Sequence, residues 1–503
     1  MKILLVYPRV METFWSFVHA LRIVKRKSAF PPLGLLTVAS MLPSSWEKRV
    51  VDMNVEPLTD DQIKWADYVF ISAMVAQRRS TEEVIRRCKS LGVKTVGGGP
   101  LFLCFGHEFP DVDHLVLGEA EAIFPEFLRD LQNGRAKREY RSSEHPDITK
   151  TPIPSWHLID IRNYATMSIQ YSRGCPYDCE FCDIIVMNGR RPRAKTPLQF
   201  IAELDALYNA GWRGAVFIVD DNFIGNKHRV KELLPQVIEW QRDRNYPFAF
   251  FTEASVDLAS DRELMELMVK AGFNKVFLGI ETPEEESLLE CGKHQNLRQS
   301  LSQSVRTILS NGLAVMGGFI IGFDHDKPDV FEKQYRFIQE NGIVTAMVGL
   351  LAAIPRTRLY KRLEREGRLL PDFKPSGDNT HSDGSLNFIP KLDRDWLISN
   401  YRKLMAKLYE PSTYYSRVKR FLELYRPRGE KKLFLQDIES FLRSVWFLGI
   451  KDKADARIRY WKSLLDAFLN HRAAFAEAVT YAVYGYHFRK IFWEKGDQRQ
   501  LDY

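Results

Sequence analysis

No apolar run in this sequence approaches the roughly 20 residues that a bilayer-crossing helix requires, which sets aside a membrane-spanning protein. Cysteine is scarce too. Six in 503 residues make no disulfide framework, so a reducing cytoplasm is the expected home. The opening "MKILLVYPRV" lacks the long apolar core and small-residue cleavage site of a signal peptide, and reads instead as a buried first strand. Repeats and low-complexity tracts are missing, as is a basic stripe with stacking aromatics on a recognisable nucleic-acid-binding fold. What remains is globular: 45% hydrophobic, 27% charged, and long enough for two or three domains. The net charge of +8 fits a slightly basic solvated surface or, as the sharper alternative, an anionic membrane or ligand.

Three stretches differ in pattern. Residues 1–135 alternate short apolar runs ("KILLV" 2–6, "RVVDM" 49–53, "YVFIS" 68–72, "VKTVGGG" 93–99, "DHLVLG" 113–118) with helical spacing at 32–42, 81–91 and 120–132. Such alternation predicts a doubly wound parallel sheet with its ligand at the carboxyl ends of the strands. Residues 136–160, polar and punctuated by proline, read as a linker. A second βα series fills 161–375, with strands expected at 167–172, 215–220, 248–253, 275–280, 315–322 and 346–352 and helices such as 196–211 and 261–272. Six βα units predict a second, curved parallel sheet whose working end lies where the strands finish. From 376 to 503 the strand signal fades into a helical tail rich in aromatic and basic residues.

Directly after the first strand of that second series comes "RGCPYDCEFCDI", with Cys175, Cys179 and Cys182. Three buried structural cysteines would not be flanked by Gly174, Pro176, Asp178 and Glu180, which make a polar turn. A zinc site commonly takes four ligands in two pairs, and Cys88, Cys104 and Cys291 are scattered singly, each expected to be buried. A thiolate triplet suits an iron–sulfur cluster, and a cubane with three protein ligands keeps one iron open for a small molecule.

A C-x3-C-x2-C run with Phe181 just before its third cysteine, on the loop after the first of six βα strands, resembles the radical SAM superfamily. The resemblance implies a [4Fe–4S] cluster on Cys175, Cys179 and Cys182, with S-adenosylmethionine on the open iron, cleaved to a 5′-deoxyadenosyl radical. It also implies roles for the strand ends. Asp221 and Asn222 in "VDDNF" would hold substrate or the methionyl amino group, and Glu253 and Ser255 in "TEASVD" would make polar contacts with the cofactor. Glu281 in "GIE" would accept from ribose hydroxyls, and Gly318, Ile320 and Gly322 in "GFIIG" would lie beside the adenine. Taken without the resemblance, strand-end glycines and carboxylates are also ordinary turn and cap residues.

A doubly wound domain ahead of such a barrel resembles the cobalamin-binding members of that superfamily. On this resemblance Ser72, Gly97, Gly98, Gly99, Pro100, Gly118 and Glu119 are the corrinoid-binding candidates; the glycines let backbone approach a bulky planar ligand closely. The D-x-H-x-x-G motif that places histidine on cobalt is missing, and His107 and His114 read as surface or core residues. The whole run at 171–197, "LAAIPRTRLYKRLEREGRL" (351–369) and the helical tail resemble the subgroup that includes the hopanoid A-ring methylase, with relatives that form rings in tetraether lipids.

The implied function is methylation of an unactivated carbon on a small-molecule or lipid substrate, by an enzyme supplied with electrons by a protein such as flavodoxin or ferredoxin. Two alternatives stay open: carbon–carbon bond or ring formation without methyl transfer, and a non-enzymatic iron–sulfur electron carrier or sensor. The basic run Arg190, Arg191, Arg193 and Lys195 reads either as a site for an anionic partner or as a solvated turn. Leu464, Phe468, Phe475, Val479, Ala482 and Tyr486 follow helical spacing with His471, Arg472 and Glu477 between them, predicting one amphipathic helix. That helix either packs on the barrel or makes peripheral contact with the inner face of a membrane.

Overall fold

The computed structural model describes residues 1–370, 378, 380, 384–428 and 435–494. Lys2–Tyr7 (β1), Glu47–Asp52 (β2), Tyr68–Ser72 (β3), Lys94–Gly98 (β4), His114–Leu117 (β5) and Glu139–Arg141 (β6) form one parallel sheet in the order β2-β1-β3-β4-β5-β6. Successive residues of a strand point to opposite faces. Leu4, Val6, Val69 and Ile71 therefore pack with Val84, Ile85 and Phe102 on one side. Ile3, Leu5, Phe70 and Val96 pack with Phe124 and Phe127 on the other. Burial on both faces is why these strands read as near-continuous apolar runs. The order of connection reverses between β1 and β3, which opens a crevice at the carboxyl ends there.

The second sheet comprises Met167–Ile169 (β7), Gly214–Ile218 (β10), Phe248–Ala254 (β11), Phe273–Glu281 (β12), Ala314–Ile321 (β13) and Thr345–Leu350 (β14), all parallel, in the order β14-β13-β12-β11-β10-β7. A two-stranded antiparallel ribbon, Ser172–Arg173 (β8) with Arg193–Ala194 (β9), brackets the cysteine loop. The strands run in sequence order without closing, so this is an open, partial barrel with six βα units. Its β14 edge is covered by the helix Arg394–Tyr409. Tyr409 donates its hydroxyl to the Ala346 carbonyl at 2.6 Å and Tyr401 to Val348 at 2.9 Å, occupying acceptors that a bare edge strand leaves open.

The structure departs from expectation in three places. The stretch 136–160, expected as linker, contributes β6, because Tyr140 buries its ring and donates to Asp130 at 2.9 Å. The single strand expected over 167–172 breaks after Ile169: Asp220 accepts from the backbone N–H groups of Tyr171 and Ser172 (2.7 and 2.8 Å), turning the chain out of the sheet. The tail helix expected through 464–486 is two helices, Ala454–Asn470 and Phe475–Phe488, separated by a turn at His471–Ala474. The expected change of pattern at 375/376 falls outside the described residues.

The loop after β1 leaves its own sheet and inserts into the tail. Phe14 stacks on Phe488 with centroids 4.3 Å apart, and His487 donates to the Thr13 and Phe14 carbonyls.

Candidate active site

Gly174 opens the cysteine loop at φ +97, and a β-carbon there would stand 3.0 Å from the Arg191 and Gly189 carbonyls, so only glycine fits. Asp221, at the end of β10, accepts from the Gly174 N–H (2.7 Å) and from the Asn188 amide (2.9 Å), which fixes both ends of the loop. The outer side is held by the helix Arg358–Arg365: Arg358 donates to the Asp178 carbonyl (2.6 Å) and Arg362 pairs with Glu180 (2.8 Å) and Asp324 (2.8 Å). These contacts explain the basic run that follows Pro355 in the sequence.

Within that frame Cys179 is buried and Cys175 and Cys182 are half-buried. Burial pushes all three thiols up, and the Lys293 ammonium opposes this at each. The Asn222 amide lies 3.9 Å from Cys175 Sγ, and the Gln295 amide 3.9 Å from Cys179 Sγ. Among the described residues no three acidic, histidine or cysteine side chains converge on a single ion. A cubane does not ask for that, since each thiolate holds a different iron. Three thiols on one pinned loop, with amide donors and an ammonium beside them, fit a cluster that draws on soft sulfur and hydrogen bonds to it.

Facing the loop, the strand ends carry polar groups that lack protein partners. Glu253 makes no hydrogen bond among the described residues; enclosure by protein, then the Asp221 and Asp220 charges, push its carboxyl up to about 8. Asn222 leaves its Oδ1 buried and unpartnered while its amide reaches Ser255 Oγ at 3.2 Å. These orphaned acceptors beside the thiols fit a ligand that brings a cation and hydroxyl donors. Glu281, by contrast, is engaged: it sits at φ +64 at a bulge of β12 and pairs with Lys293 at 2.6 Å, both side chains nearly buried. Gly279 makes room for the pair, since a β-carbon there would meet Glu281 Oε1 at 2.5 Å. Gly318 likewise admits Phe277, and the Gly322 N–H donates to Asp326 (2.7 Å) while Ile320 accepts from Gln334 (2.8 Å). Lys293 and Gln295 were missed in the sequence; their signal was a polar "GKHQN" in a segment that folds back under the cysteines.

At the N-terminal sheet, Gly97 leaves space for the Phe102 ring, and Gly99, at φ +88, abuts Ser72 Oγ and Ala73 before Pro100 opens the helix Pro100–Phe105. Gly98 lies against the Val116 carbonyl. These glycines are required by the chain's own packing at this turn, which the resemblance makes the corrinoid cradle. Cys104 on the same helix is half-buried; burial, then the Asp183 carboxylate of the cysteine loop, raises its thiol.

Glu119 does not present a carboxylate to that cradle. It accepts from Arg173 (2.7 Å) and Arg193 (2.6 Å), with His145 at 3.2 Å, while Arg173 also grips Glu121 at 2.8 Å. Burial works against ionisation of Glu121, but the Arg173 contacts outweigh it and hold its carboxyl down at about 2. Glu119, expected at the corrinoid, ties the first sheet to the cysteine loop through Arg173, one residue before Gly174. Gly118 (φ +137) brings this segment within 2.6 Å of the Ser142 carbonyl, measured from the β-carbon it lacks. The basic run is divided: Arg193 belongs to this clamp, Lys195 is buried against Glu203, and Arg190 and Arg191 are exposed. His114 is buried with Nδ1 2.7 Å from the Lys137 carbonyl, and His107 is exposed. Cys88 and Cys291 are buried as expected.

Comparison with known proteins agrees with this layout. Residues 20–128 match the B12 binding domain, 169–338 the radical SAM superfamily and 357–500 a domain of unknown function. An uncharacterised methyltransferase of Synechocystis sp. is 43% identical over 100% of this chain and 95% of its own length. The hopanoid C-2 methylase of Rhodopseudomonas palustris is 35% identical over 92% of this chain and 89% of its own. In fold, the cobalamin-dependent S-adenosylmethionine radical enzyme OxsB with aqua-cobalamin bound superposes with a TM-score of 0.64 at 15% identity, covering 100% of this chain and 80% of that one. The radical S-adenosylmethionine methyltransferase TsrM from Kitasatospora setae, with cobalamin and a [4Fe–4S] cluster, gives 0.61 at 14% identity, covering 94% and 99%.

Proposed function

This chain belongs to the radical SAM superfamily, among its members with a B12-binding domain, and from that premise we propose that it methylates an unactivated carbon of a hopanoid or isoprenoid lipid. It is a cobalamin-dependent radical SAM methyltransferase, with a [4Fe–4S] cluster, S-adenosylmethionine and cobalamin as its cofactors. When bound, these groups supply a 5′-deoxyadenosyl radical and a methyl group. The observation that carries the reading is three thiols on one pinned loop, beside the unpartnered Asn222 Oδ1 and the Glu253 carboxyl at the neighbouring strand ends. The lipid class is supported by the 35% identity to the hopanoid methylase.

In this reading Cys175, Cys179 and Cys182 hold the cluster, steadied by Asn222 and Gln295. Glu253, Asn222 and Ser255 receive the cationic methionyl end, while Asp221 shapes the loop around it. Glu281 keeps one oxygen for Lys293 and turns the end of β12 toward the ribose. Gly318, Ile320 and Gly322 line the adenine, and Ser72, Gly97, Gly98, Gly99, Pro100 and Gly118 form the corrinoid cradle. The enzyme works in the cytoplasm with a protein electron donor. A cavity of about 380 Å³ behind the cysteine loop, edged by Arg190, Arg298 and Arg358, suits the approach of an acidic carrier.

The test is anaerobic purification with cobalamin supplied, measurement of corrinoid per chain, then incubation with methyl-labelled S-adenosylmethionine and hopanoid-containing lipid extract. Stoichiometric corrinoid, labelled lipid and S-adenosylhomocysteine are expected. Cys175→Ala, Cys179→Ala and Cys182→Ala should each abolish cofactor cleavage. Lipid turnover with no label transferred and no S-adenosylhomocysteine would replace methylation with ring-forming chemistry.

A further inference from the structure

Large apolar side chains exposed to water are spread thinly over this protein, except in one place. Among the described residues, nine of the seventeen most exposed lie between Ile438 and Leu469, so the tail carries a patch rather than the usual scatter. The helix Ala454–Asn470 buries Ala456, Tyr460, Leu464 and Ala467 against the rest of the tail. On roughly the opposite side, at i, i+3, i+7 and i+10, stand Ile458, Trp461 (46% exposed), Leu465 (58%) and Phe468 (53%). The helix Leu435–Ser444 and the π-turn after it add a second row, Ile438, Leu442, Trp446 and Ile450. The two rows meet where Trp461 donates its indole N–H to the Gly449 carbonyl at 3.0 Å, beside Ile450.

The rim of this patch is basic. Arg443 donates to the Ile23 and Arg22 carbonyls (2.6 and 2.9 Å), which sets the "RIVKRK" segment of residues 22–27 alongside the second row. Lys451 lies 5.0 Å from the Trp446 ring and Arg472 5.2 Å from Phe468. Of the acidic side chains nearby, Glu439 pairs with Lys25, Asp452 with Arg489 and Asp455 with Arg459, while Asp466 accepts from the Asn470 amide at 2.8 Å. Lys27, Lys451 and Lys462 pair with no carboxylate among the described residues, so the outward charge is positive. An apolar stripe with tryptophan at its edge and lysine and arginine around it matches the boundary between acyl chains and anionic headgroups. No described helix is long and apolar enough to cross a membrane, so the pair lies in the plane of the surface.

We propose that this helix pair is a membrane-docking face, seated in the headgroup layer of an anionic lipid leaflet with both apolar rows toward the acyl chains. Docking in this manner is independent of which carbon, or which lipid, receives the methyl group. It goes beyond a general cytoplasmic location by naming the surface and its partner.

The test uses the purified full chain and vesicles of phosphatidylcholine alone or mixed with phosphatidylglycerol, read by co-sedimentation and by Trp emission. The chain should pellet with the mixed vesicles, with a blue-shifted emission, and should be released by high salt. Ile458→Glu with Leu465→Glu should weaken partition roughly a hundredfold, because two carboxylates replace apolar contact in the interface. Melting temperature and S-adenosylmethionine cleavage should stay as in the parent chain, since both side chains are exposed and far from the cysteine loop. Lysine-to-glutamate changes at Lys451 and Lys462 should remove most of the preference for anionic vesicles. A chain that stays in the supernatant with both vesicle types overturns the proposal, as does undiminished binding by the double variant. So does a dimer that the double variant dissolves in the absence of vesicle binding, which would make the face a self-interface.

Discussion

Glu253 is a carboxylate near the end of β11 with no hydrogen-bond partner among the described residues, and its charge state follows from that placement. Its ordinary value of 4.5 is raised to about 8 by enclosure first and by the Asp221 and Asp220 charges second. A carboxyl whose folded value is raised stabilises the fold fully below 4.5, and that stabilisation is lost as pH rises through about 8. The ligand-free protein should therefore lose melting temperature between pH 5 and 9, and Glu253→Gln should flatten that decline. Binding of a cationic ligand should run the other way: it asks for the ionised carboxylate, so S-adenosylmethionine should bind more tightly as pH rises toward 8 and release a proton on binding. Calorimetric titration in two buffers of different ionisation heat measures that proton. An unchanged pH profile in Glu253→Gln would remove Glu253 from the site. The neighbouring Glu281–Lys293 pair illustrates the contrasting case, a buried charge already neutralised by a 2.6 Å partner.

At the level of elements, the clamp of Glu119 and Glu121 on Arg173 and Arg193 joins the start of one helix to the two short strands that bracket the cysteines. Breaking a buried, hydrogen-bonded ion pair from one side leaves the other charge uncompensated, at a cost of about 3–5 kcal/mol. Glu119→Gln should thus lower stability and loosen the cysteine loop, seen as a broadened EPR signal of the reduced cluster, while corrinoid content per chain stays at the parent level. Loss of corrinoid with an unaltered cluster signal would return Glu119 to the cofactor. This role was not legible in the sequence. The run Gly118-Glu119-Ala120-Glu121 reports that carboxylates are present, and says nothing of an arginine 54 residues from Glu119. The strands were legible because burial on both faces writes itself as apolar runs. The three-residue β6, with one buried side chain, writes almost nothing. The break at His471 was hidden for a different reason: apolar spacing continued across it, Phe468 to Phe475, although the backbone turns there. The cysteine run was the clearest signal because its chemistry is carried by residue type and spacing alone, whereas Lys293 and Gln295 reach the thiols only through the fold.

The whole molecule is held as one body by the loop after β1, which crosses from the first sheet into the C-terminal helices. Phe14 is 1% exposed and stacked on Phe488, and His487 closes the joint by donating to the carbonyls of Thr13 and Phe14 at 3.3 and 3.2 Å. That donation fixes the neutral imidazole with its proton on Nε2. Burial first, and the neighbouring His19 second, lower the His487 value from 6.5 to about 4, with the two carbonyls opposing the shift in part. A histidine depressed in the folded state binds its proton more tightly when unfolded. Its contribution is intact above pH 6.5 and is lost as pH falls from 6.5 through about 4. The loss amounts to about 3 kcal/mol at the acid end. His487→Gln keeps an N–H donor of similar reach and removes the titration. Urea unfolding of both proteins at a series of pH values between 7.5 and 4 should then give curves that diverge below 6.5, the parent chain losing more. Because the joint connects the first sheet to the tail, the extra acid sensitivity should appear at once in probes of both regions. Parallel curves, or a loss confined to the tail, would mean that the joint does not bind the molecule together.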